Sequence, residues 1–462
     1  MAGLTSQGIG SGLDVAGLVA KLVAAEKAPR QAQITRAQTA AVTTISALAT
    51  LKGAMSNFND SLATLKTEEV FSARSATSSV PEVFSVTATN AAVSGSYDVE
   101  VENLASAHQL TSKAFAGGAG MNVGTGTLSI AVGDKNFSVT VDDTHKTLAQ
   151  IRDAINSAAD NKDLVRATIV NAADGAHLVL SAQSAGDANK ISVAQSGGDG
   201  GLAGLVYNPS LTTNYTQQRE AKDAVIYVAG FKHTSKTNSF ENAIDGVTIT
   251  LLKADEENKT RTLTIDKDTA STTARIKKFV DAYNALEKQI AALRSYDPDT
   301  KKAGPLIGDA MMRGMETELR NKLSSAVGGL TGTYQSLASV GITTQKDGTL
   351  SLDSDKLAKA LNADFDGVGK LFGSEGGVAK RLASSLDTFL AADAQINTRT
   401  KTLNAKSVSL QKEQTDLEAR MDAVAKRYNA QFNALDSLLA NLGSQSAFLT
   451  QQLTSISKIG DK

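Results

Sequence analysis

The chain has 462 residues, 41% of them hydrophobic but only 5% aromatic, and it contains no tryptophan. This length suits about three domains whose cores are built mainly from aliphatic side chains. Because 47 basic residues balance 48 acidic ones, no charge excess favours a nucleic acid or an anionic membrane as partner. The absence of cysteine excludes disulfides, zinc thiolate sites and thiol catalysis. It favours a protein that works outside the cell, although chance loss of cysteine is the alternative.

The N-terminus does not have the pattern of a cleaved secretory signal. It lacks a basic segment, and Asp14 and Gly17 interrupt the apolar residues that follow. No stretch reaches the roughly 18 uncharged apolar residues that a membrane span requires. The sequence therefore predicts neither a membrane span nor a cleaved signal, and an exported protein would need another route.

The first long helix is predicted from two interleaved sets of apolar residues. Each set repeats every seven residues and the two are offset by three, as in the seam of a coiled coil. Pro29 suits the first turn of a helix, so the pattern predicts a helix over residues 30–66. The predicted seam residues are Leu48, Leu51, Met55, Phe58, Leu62 and Leu65.

The C-terminal region repeats this pattern over a greater length. Neither glycine nor proline occurs from Val378 through Leu442. One strip is apolar and the other positions are largely charged or amidated, which favours a coiled-coil arm over an ordinary amphipathic helix packed on a globular core. The apolar repeat comprises Ile396, Leu403, Leu410, Leu417 and Val424, and then Met421, Tyr428, Leu435, Leu442, Leu449 and Ile456.

The middle of the chain is predicted to be β-rich. Apolar residues alternate with period two between residues 78 and 112, and again between 127 and 141 around a Gly133-Asp134 turn. A short helix follows near Leu148, and further strands are predicted up to residue 265. Glycines between residues 197 and 204 indicate a loop or boundary.

Helical periodicity returns after Ser271 and encloses one small hairpin. Asp347-Gly348 is a favourable two-residue turn. Asp353 or Ser354 can cap the helix that follows. Together these elements place helices at both chain ends and strands between them.

The predicted fold class is α+β multidomain, in which an antiparallel helical coiled-coil stalk formed by both chain ends carries two inserted β-rich head domains. Four domains are predicted. A terminal leg comprises residues 1–42 and 441–462, and a helical stalk domain with a small β-hairpin comprises residues 43–77 and 273–440. A β-rich head domain comprises residues 78–115 and 211–272, and a second β-rich head domain comprises residues 116–210.

Candidate catalytic and metal-binding patterns are weak. His108, His145, His177 and His233 lack metal-ligand spacing. The glycine run at residues 8–12 has no preceding strand and no P-loop lysine. No nucleophile elbow is present, and the Asp297-Pro298-Asp299 segment favours a plain turn over a cation loop. We therefore predict no enzymatic activity, no cofactor and no metal.

Three segments resemble one known family, the bacterial flagellar filament cap proteins, or flagellar hook-associated protein 2. The start SQGIGSGLDVAGLVAKLVAAEKAP is similar to the N-terminal signature of the family, including its Gly8–Asp14 run. Leu337–Gly373 resembles the C-terminal region. Leu128–Val193, with its Ala154-Ile155-Asn156 core, resembles a repeat of hook-associated proteins and flagellins.

The resemblance implies a homo-oligomer of about five subunits at the extracellular distal tip of the flagellum. There it would promote the folding and insertion of exported flagellin, and so filament elongation and motility. It also implies type III flagellar export without a cleaved signal. The hook-filament junction protein and an export chaperone would be partners, as would host mucin in some members. No nucleic-acid or membrane partner is implied.

On this interpretation the outermost apolar residues of the two arms contact filament subunits or neighbouring caps. These residues are Ile9, Leu13, Leu18, Leu22, Leu442, Leu449 and Ile456. Positions nearer the body are expected to pack within the chain. Two alternatives are an adhesin whose β domains bind the host and a murein hydrolase.

Overall fold

The computed structural model describes residues 14–208, 210, 214–255 and 259–460, with side chains as far as Thr454. The helices of these ranges are α1 (Val15–Ala63), α2 (Leu148–Ser157), α3 (Thr269–Arg294), α4 (Ala310–Ser324), α5 (Ser354–Ala363), α6 (Phe365–Gly373), α7 (Val378–Leu390) and α8 (Gln395–Gly460). The strands are β1 (Arg74–Ser78), β2 (Phe84–Ala88), β3 (Gly95–Asn103), β4 (Ala107–Ser112), β5 (Gly126–Val132), β6 (Lys135–Val141), β7 (Val165–Ala172), β8 (Gly175–Ala185), β9 (Ile191–Ser196), β10 (Tyr215–Arg219), β11 (Ala224–Val228), β12 (Phe231–Ser235), β13 (Ser239–Ile244), β14 (Val247–Leu251), β15 (Arg261–Lys267), β16 (Tyr296–Asp297), β17 (Lys302–Ala303), β18 (Ile342–Thr344) and β19 (Leu350–Leu352).

The chain forms two compact units. The helical unit combines the described residues up to Glu68 with those from Ser271 onward, and the β unit comprises those from Glu69 to Ala270. Helices at both chain ends with β-sheets between them confirm the predicted α+β multidomain class.

Helix α1 begins fifteen residues earlier than the sequence predicted. The Asp14 carboxylate caps it by accepting the backbone N–H of Gly17 at 2.8 Å. A Cβ at Gly17 would lie 2.2 Å from that carboxylate, so a larger residue at this position would require the Asp14 side chain to shift. Pro29 therefore lies inside the helix, and the prediction that it opens the helix is wrong.

An interior proline removes one helical hydrogen bond and typically costs about 3 kcal/mol. Contacts with α8 on the same stretch offset part of this cost. The Arg30 guanidinium lies 2.6 Å from the carboxylate of Glu413, and Gln31 bonds to Gln414. Tertiary packing thus overrides the local proline signal.

The second half of α1 contributes to the core of the helical unit. The six predicted seam residues from Leu48 to Leu65 are each 0% exposed. The Phe58 ring lies 5.8 Å from that of Phe279 and 5.5 Å from that of Tyr283, both on α3. This part of the heptad pattern therefore faces α3 as well as the C-terminal helices. It packs as an amphipathic helix on a globular core.

All strand pairings in the described chain are antiparallel. In one part of the β unit, a five-stranded sheet (β1-β15-β3-β11-β12) and a three-stranded sheet (β13-β14-β2) enclose a core that includes Phe84, Val101, Ile226 and Ile249.

In the other part, a four-stranded sheet (β10-β4-β8-β7), a three-stranded sheet (β6-β5-β9) and α2 enclose a second core that includes Leu110, Ile155 and Tyr215. Strands β4 and β10 lie within the bounds predicted for the first head domain, yet they pair with each other and β4 pairs with β8. The pairing favours a boundary near the isolated bridge between Ser106 and Lys222. The four-part division itself stays a prediction.

Asn156, at the end of α2, covers the free edge of strand β7. Its Nδ2 donates to the carbonyl of Ala167 at 2.8 Å, and its Oδ1 accepts the N–H of Ala167 at 2.9 Å. The amide thereby replaces a neighbouring strand at an edge that would otherwise offer unpaired backbone groups.

Replacing Asn156 with alanine is expected to lower the free energy of unfolding of the β unit by about 1–2 kcal/mol, since two hydrogen bonds are lost. Chemical denaturation of the full chain measures this change. Ser157→Ala is the matched control, because its exposed side chain bonds only within α2. Equal stability of the two variants would show that the edge needs no cover.

Candidate assembly surface

Helices α1 and α8 pack side by side in opposite directions. Lys52 Nζ donates to Asn397 Oδ1 at 2.9 Å. The Gln31 and Gln414 amides exchange two hydrogen bonds at 2.6 and 2.7 Å. Residue numbers fall along α1 as they rise along α8, so the pair is antiparallel.

Apolar residues fill the contact between these two helices. The packed cluster comprises Ile34, Leu410, Leu417, Met421 and Val424, with Val23, Ala37 and Tyr428 partly buried against it. Leu403, at an earlier heptad position, is only half-buried. The antiparallel pair is therefore a structural fact, whereas its description as a regular coiled coil stays a prediction.

The apolar strip of α8 continues beyond this cluster but is exposed there. Every side chain from Ser437 to Thr454 is exposed. Leu435, predicted as a seam residue, is 45% exposed, so the buried seam of the single chain ends before it. The exposed large apolar residues of α8 from Leu435 to Leu453 are called the α8 strip. They are Leu435, Leu438, Leu439, Leu442, Phe448, Leu449 and Leu453.

The α8 strip lacks the charged rim that surrounds the buried seam. No Lys, Arg, Asp or Glu occurs from Ser437 through Thr454, where the polar residues are serine, threonine, asparagine and glutamine. By contrast, Lys27 and Glu418 face each other at 3.9 Å across the α1–α8 pair. An exposed, uncharged apolar strip of this length is typical of a surface that is covered by a partner.

The residues predicted to contact partners are placed as follows. Leu18 and Leu22 on α1 are 39% and 42% exposed, and Leu442 and Leu449 on α8 are 52% and 60% exposed. Ile9, Leu13 and the side chain of Ile456 lie outside the described residues.

Sequence reasoning did not select Leu438, Leu439, Phe448 or Leu453. The heptad count assigned one residue every seven positions, or about every two turns, while spacings of three and four around Leu435 and Leu442 already indicated a broader stripe.

Polar clusters elsewhere in the described chain have structural roles. No group of three or more His, Asp or Glu side chains within it could hold a metal ion. The Asp297 carboxylate accepts the N–H of Asp299 at 3.0 Å and the Thr300 hydroxyl at 2.6 Å, which closes the turn between β16 and β17. The glycine run at residues 8–12 lies outside the described residues.

Among the described helices, none combines the length and the hydropathy that crossing a bilayer would demand.

The paired terminal helices and the inserted β unit are the features of a structural protein. Comparison with known families supports this class and makes it specific. The family model described as the N-terminus of flagellar hook-associated protein 2 matches residues 11–108, and the model of its C-terminus matches residues 221–444. The chain belongs to the flagellar hook-associated protein 2 family, the flagellar cap proteins.

Individual relatives agree over nearly the full length. The B-type flagellar hook-associated protein 2 of Pseudomonas aeruginosa is 34% identical over 471 residues, covering 99% of this chain and 98% of the relative. The flagellar hook-associated protein 2 of Escherichia coli K12 is 32% identical and covers 98% of both chains. The crystal structure of the D1-D2-D3 domains of the flagellar cap protein FliD from Escherichia coli has a TM-score of 0.63 at 31% identity. It covers 78% of this chain and 99% of that one.

Proposed function

We propose that this chain forms a homo-oligomeric cap of about five subunits at the extracellular distal tip of the flagellar filament. There it promotes the folding and insertion of exported flagellin, so that the filament elongates and the cell swims. The role is structural and involves no catalysis. The cap reaches the tip through the flagellar type III export route, without a cleaved signal. The hook-filament junction protein, an export chaperone and host mucin complete the proposed set of partners.

The α8 strip is the observation that carries this proposal. A cap must hold the filament end and then move as each new subunit is added, so its contacts must be individually weak. Full burial of one leucine contributes about 1.5–3 kcal/mol. Several partly covered leucines can therefore hold a partner and still release it.

Replacing Leu442 and Leu449 with serine is expected to abolish motility in a strain that lacks its own cap protein and is complemented with this gene. Both side chains are exposed, so circular dichroism and thermal unfolding of the purified variant should match the unaltered protein. Swimming-zone diameter and filament length measured by electron microscopy report the effect.

Leu252→Ser is the matched control, because this leucine is 55% exposed but lies in the β unit. Normal filaments with the Leu442/Leu449 variant would remove the α8 strip from the assembly role. Failure of the unaltered gene to complement would instead count against the proposed function in that strain.

A further inference from the structure

The β unit contains a buried histidine that the assembly role does not use. His108 lies on β4 and is 1% exposed. Its Nδ1 accepts the backbone N–H of Ile191, the first residue of β9, at 2.9 Å. Its Nε2 lies 3.4 Å from Gln217 Oε1 on β10. The imidazole therefore joins the four-stranded sheet that contains β4 to the three-stranded sheet that contains β9.

The two ring nitrogens of His108 have opposite partners. An N–H donor faces Nδ1, which must therefore carry no proton, and a carbonyl oxygen faces Nε2, which donates. This arrangement fits only the neutral ring. A proton added to Nδ1 would face the Ile191 N–H, which would lose its acceptor.

We propose that His108 forms a pH-dependent link between the two sheets, in which protonation of Nδ1 breaks the hydrogen bond from Ile191 and releases the start of β9 from β4. Gln217 on the outer side of the ring is exposed, so protons can reach the site without global unfolding. The released segment leads into a loop whose Leu202 and Leu205 belong to the same core.

The groups around the ring support this direction. Burial lowers the pKa of His108 below its ordinary value, and the nearby Lys190 ammonium acts in the same sense, while the hydrogen bond to Gln217 and the Glu220 carboxylate oppose it. Lys190 is itself paired with Asp187 at 2.7 Å. The adjacent Tyr207 ring, 6.0 Å away, is uncharged in this pH range.

His177 on β8 is an internal reference with the opposite preference. Its Nδ1 lies 2.8 Å from the carbonyl oxygen of Ser112, and its Nε2 lies 3.0 Å from the Asp174 carboxylate. These two acceptors favour the charged ring and raise the pKa of His177.

Stability contributed by His177 is therefore complete below pH 6.5 and is lost as the pH rises through its raised pKa. Stability contributed by His108 is complete above pH 6.5 and is lost as the pH falls through its lowered pKa.

The test uses the full chain with labelled histidine rings and hydrogen exchange of the Ile191 amide. The chain has only four histidines, so single His→Asn variants assign every ring signal. His108 is expected to titrate below pH 6.5 and His177 above it. Between pH 7.5 and 5.0, the protection factor of Ile191, corrected for intrinsic exchange, is expected to fall at least tenfold.

His108→Asn keeps an acceptor close to the position of Nδ1 but cannot be protonated, so its Ile191 protection should not depend on pH. His145→Asn, at an exposed position, should retain the fall. A His108 midpoint at or above 6.5, or constant Ile191 protection in the unaltered protein, would overturn the proposal. These two measurements decide the matter even if the Asn variant does not fold.

Discussion

Replacing Leu410 and Leu417 together with serine is expected to lower the free energy of unfolding of the helical unit by about 4–6 kcal/mol. Each side chain is at least 91% buried in the cluster between α1 and α8. Truncating a buried leucine typically costs about 2–5 kcal/mol. The value for the pair lies toward the low end because both residues are at the edge of a two-helix contact, where neighbours can partly close the gap.

Chemical denaturation followed by circular dichroism at 222 nm measures this loss. Val408→Ser is the matched control, because Val408 is on the same helix but is 66% exposed. We expect the control to change stability by less than about 0.5 kcal/mol. If the double variant unfolded at the same denaturant concentration as the unaltered protein, the α1–α8 contact would not stabilise the chain. Adding Leu403→Ser should increase the loss only modestly, since Leu403 is half-buried.

Replacing Arg320 with methionine is expected to destabilise the helical unit by about 3–5 kcal/mol, the usual cost of leaving a buried charge without its partner. Arg320 on α4 lies 2.5 Å from the carboxylate of Glu316 and 3.6 Å from that of Glu287. Both carboxylates are at least 95% buried. Arg294 still contacts Glu316 at 2.7 Å, whereas Glu287 loses its ion pair with Arg320 and retains the hydrogen bond from the Tyr283 hydroxyl.

Chemical denaturation of the variant and of the unaltered protein at pH 7 measures this loss. The matched control is Lys277→Met, which breaks the exposed pair with Asp281 and should cost less than about 0.5 kcal/mol. A loss no larger than that of the control would contradict a stabilising role for the Arg320 ion pairs.

Periodicity and turn signals were sufficient to predict several of the helices and hairpins. The heptads of α8, the Gly133-Asp134 turn between β5 and β6, and the Asp353 cap of α5 all follow from local rules. The position of α1 did not, because Pro29 is acceptable inside a helix only where another element compensates. That compensation comes from α8, several hundred residues away in sequence.

The buried polar contacts were also beyond reach of the sequence. The Asn284 amide bonds both backbone groups of Leu350 on β19, just as Asn156 bonds Ala167. Glu287 and Glu316 lie in helical patterns that look amphipathic, and only the packing of α3 against α4 shows that they are buried. Such contacts join residues at irregular separations in the chain, and they produce no repeating pattern in the sequence by which they could be predicted.

For the candidate assembly surface, the sequence predicted the helix but underestimated the width of its apolar face. Leu442 and Leu449 were predicted from the heptad and are exposed, while their contact with a partner stays a prediction. Leu435 was assigned to the buried seam because the heptad repeat continues through it. Its side chain is nevertheless exposed, because the buried part of the α1–α8 contact ends before it. The heptad repeat continues unchanged past the end of the helix–helix contact, so the sequence does not indicate where that contact ends.

The lack of charge between Ser437 and Thr454 has a consequence for the medium in which a filament grows. Between 0.01 and 1 M salt, the screening length in water falls from about 30 Å to about 3 Å, and attraction between surface charges weakens accordingly. An apolar, uncharged contact does not depend on that length. If the cap docks through α8, screening of surface charges would not weaken its contact with the filament, either in fresh water or in brine.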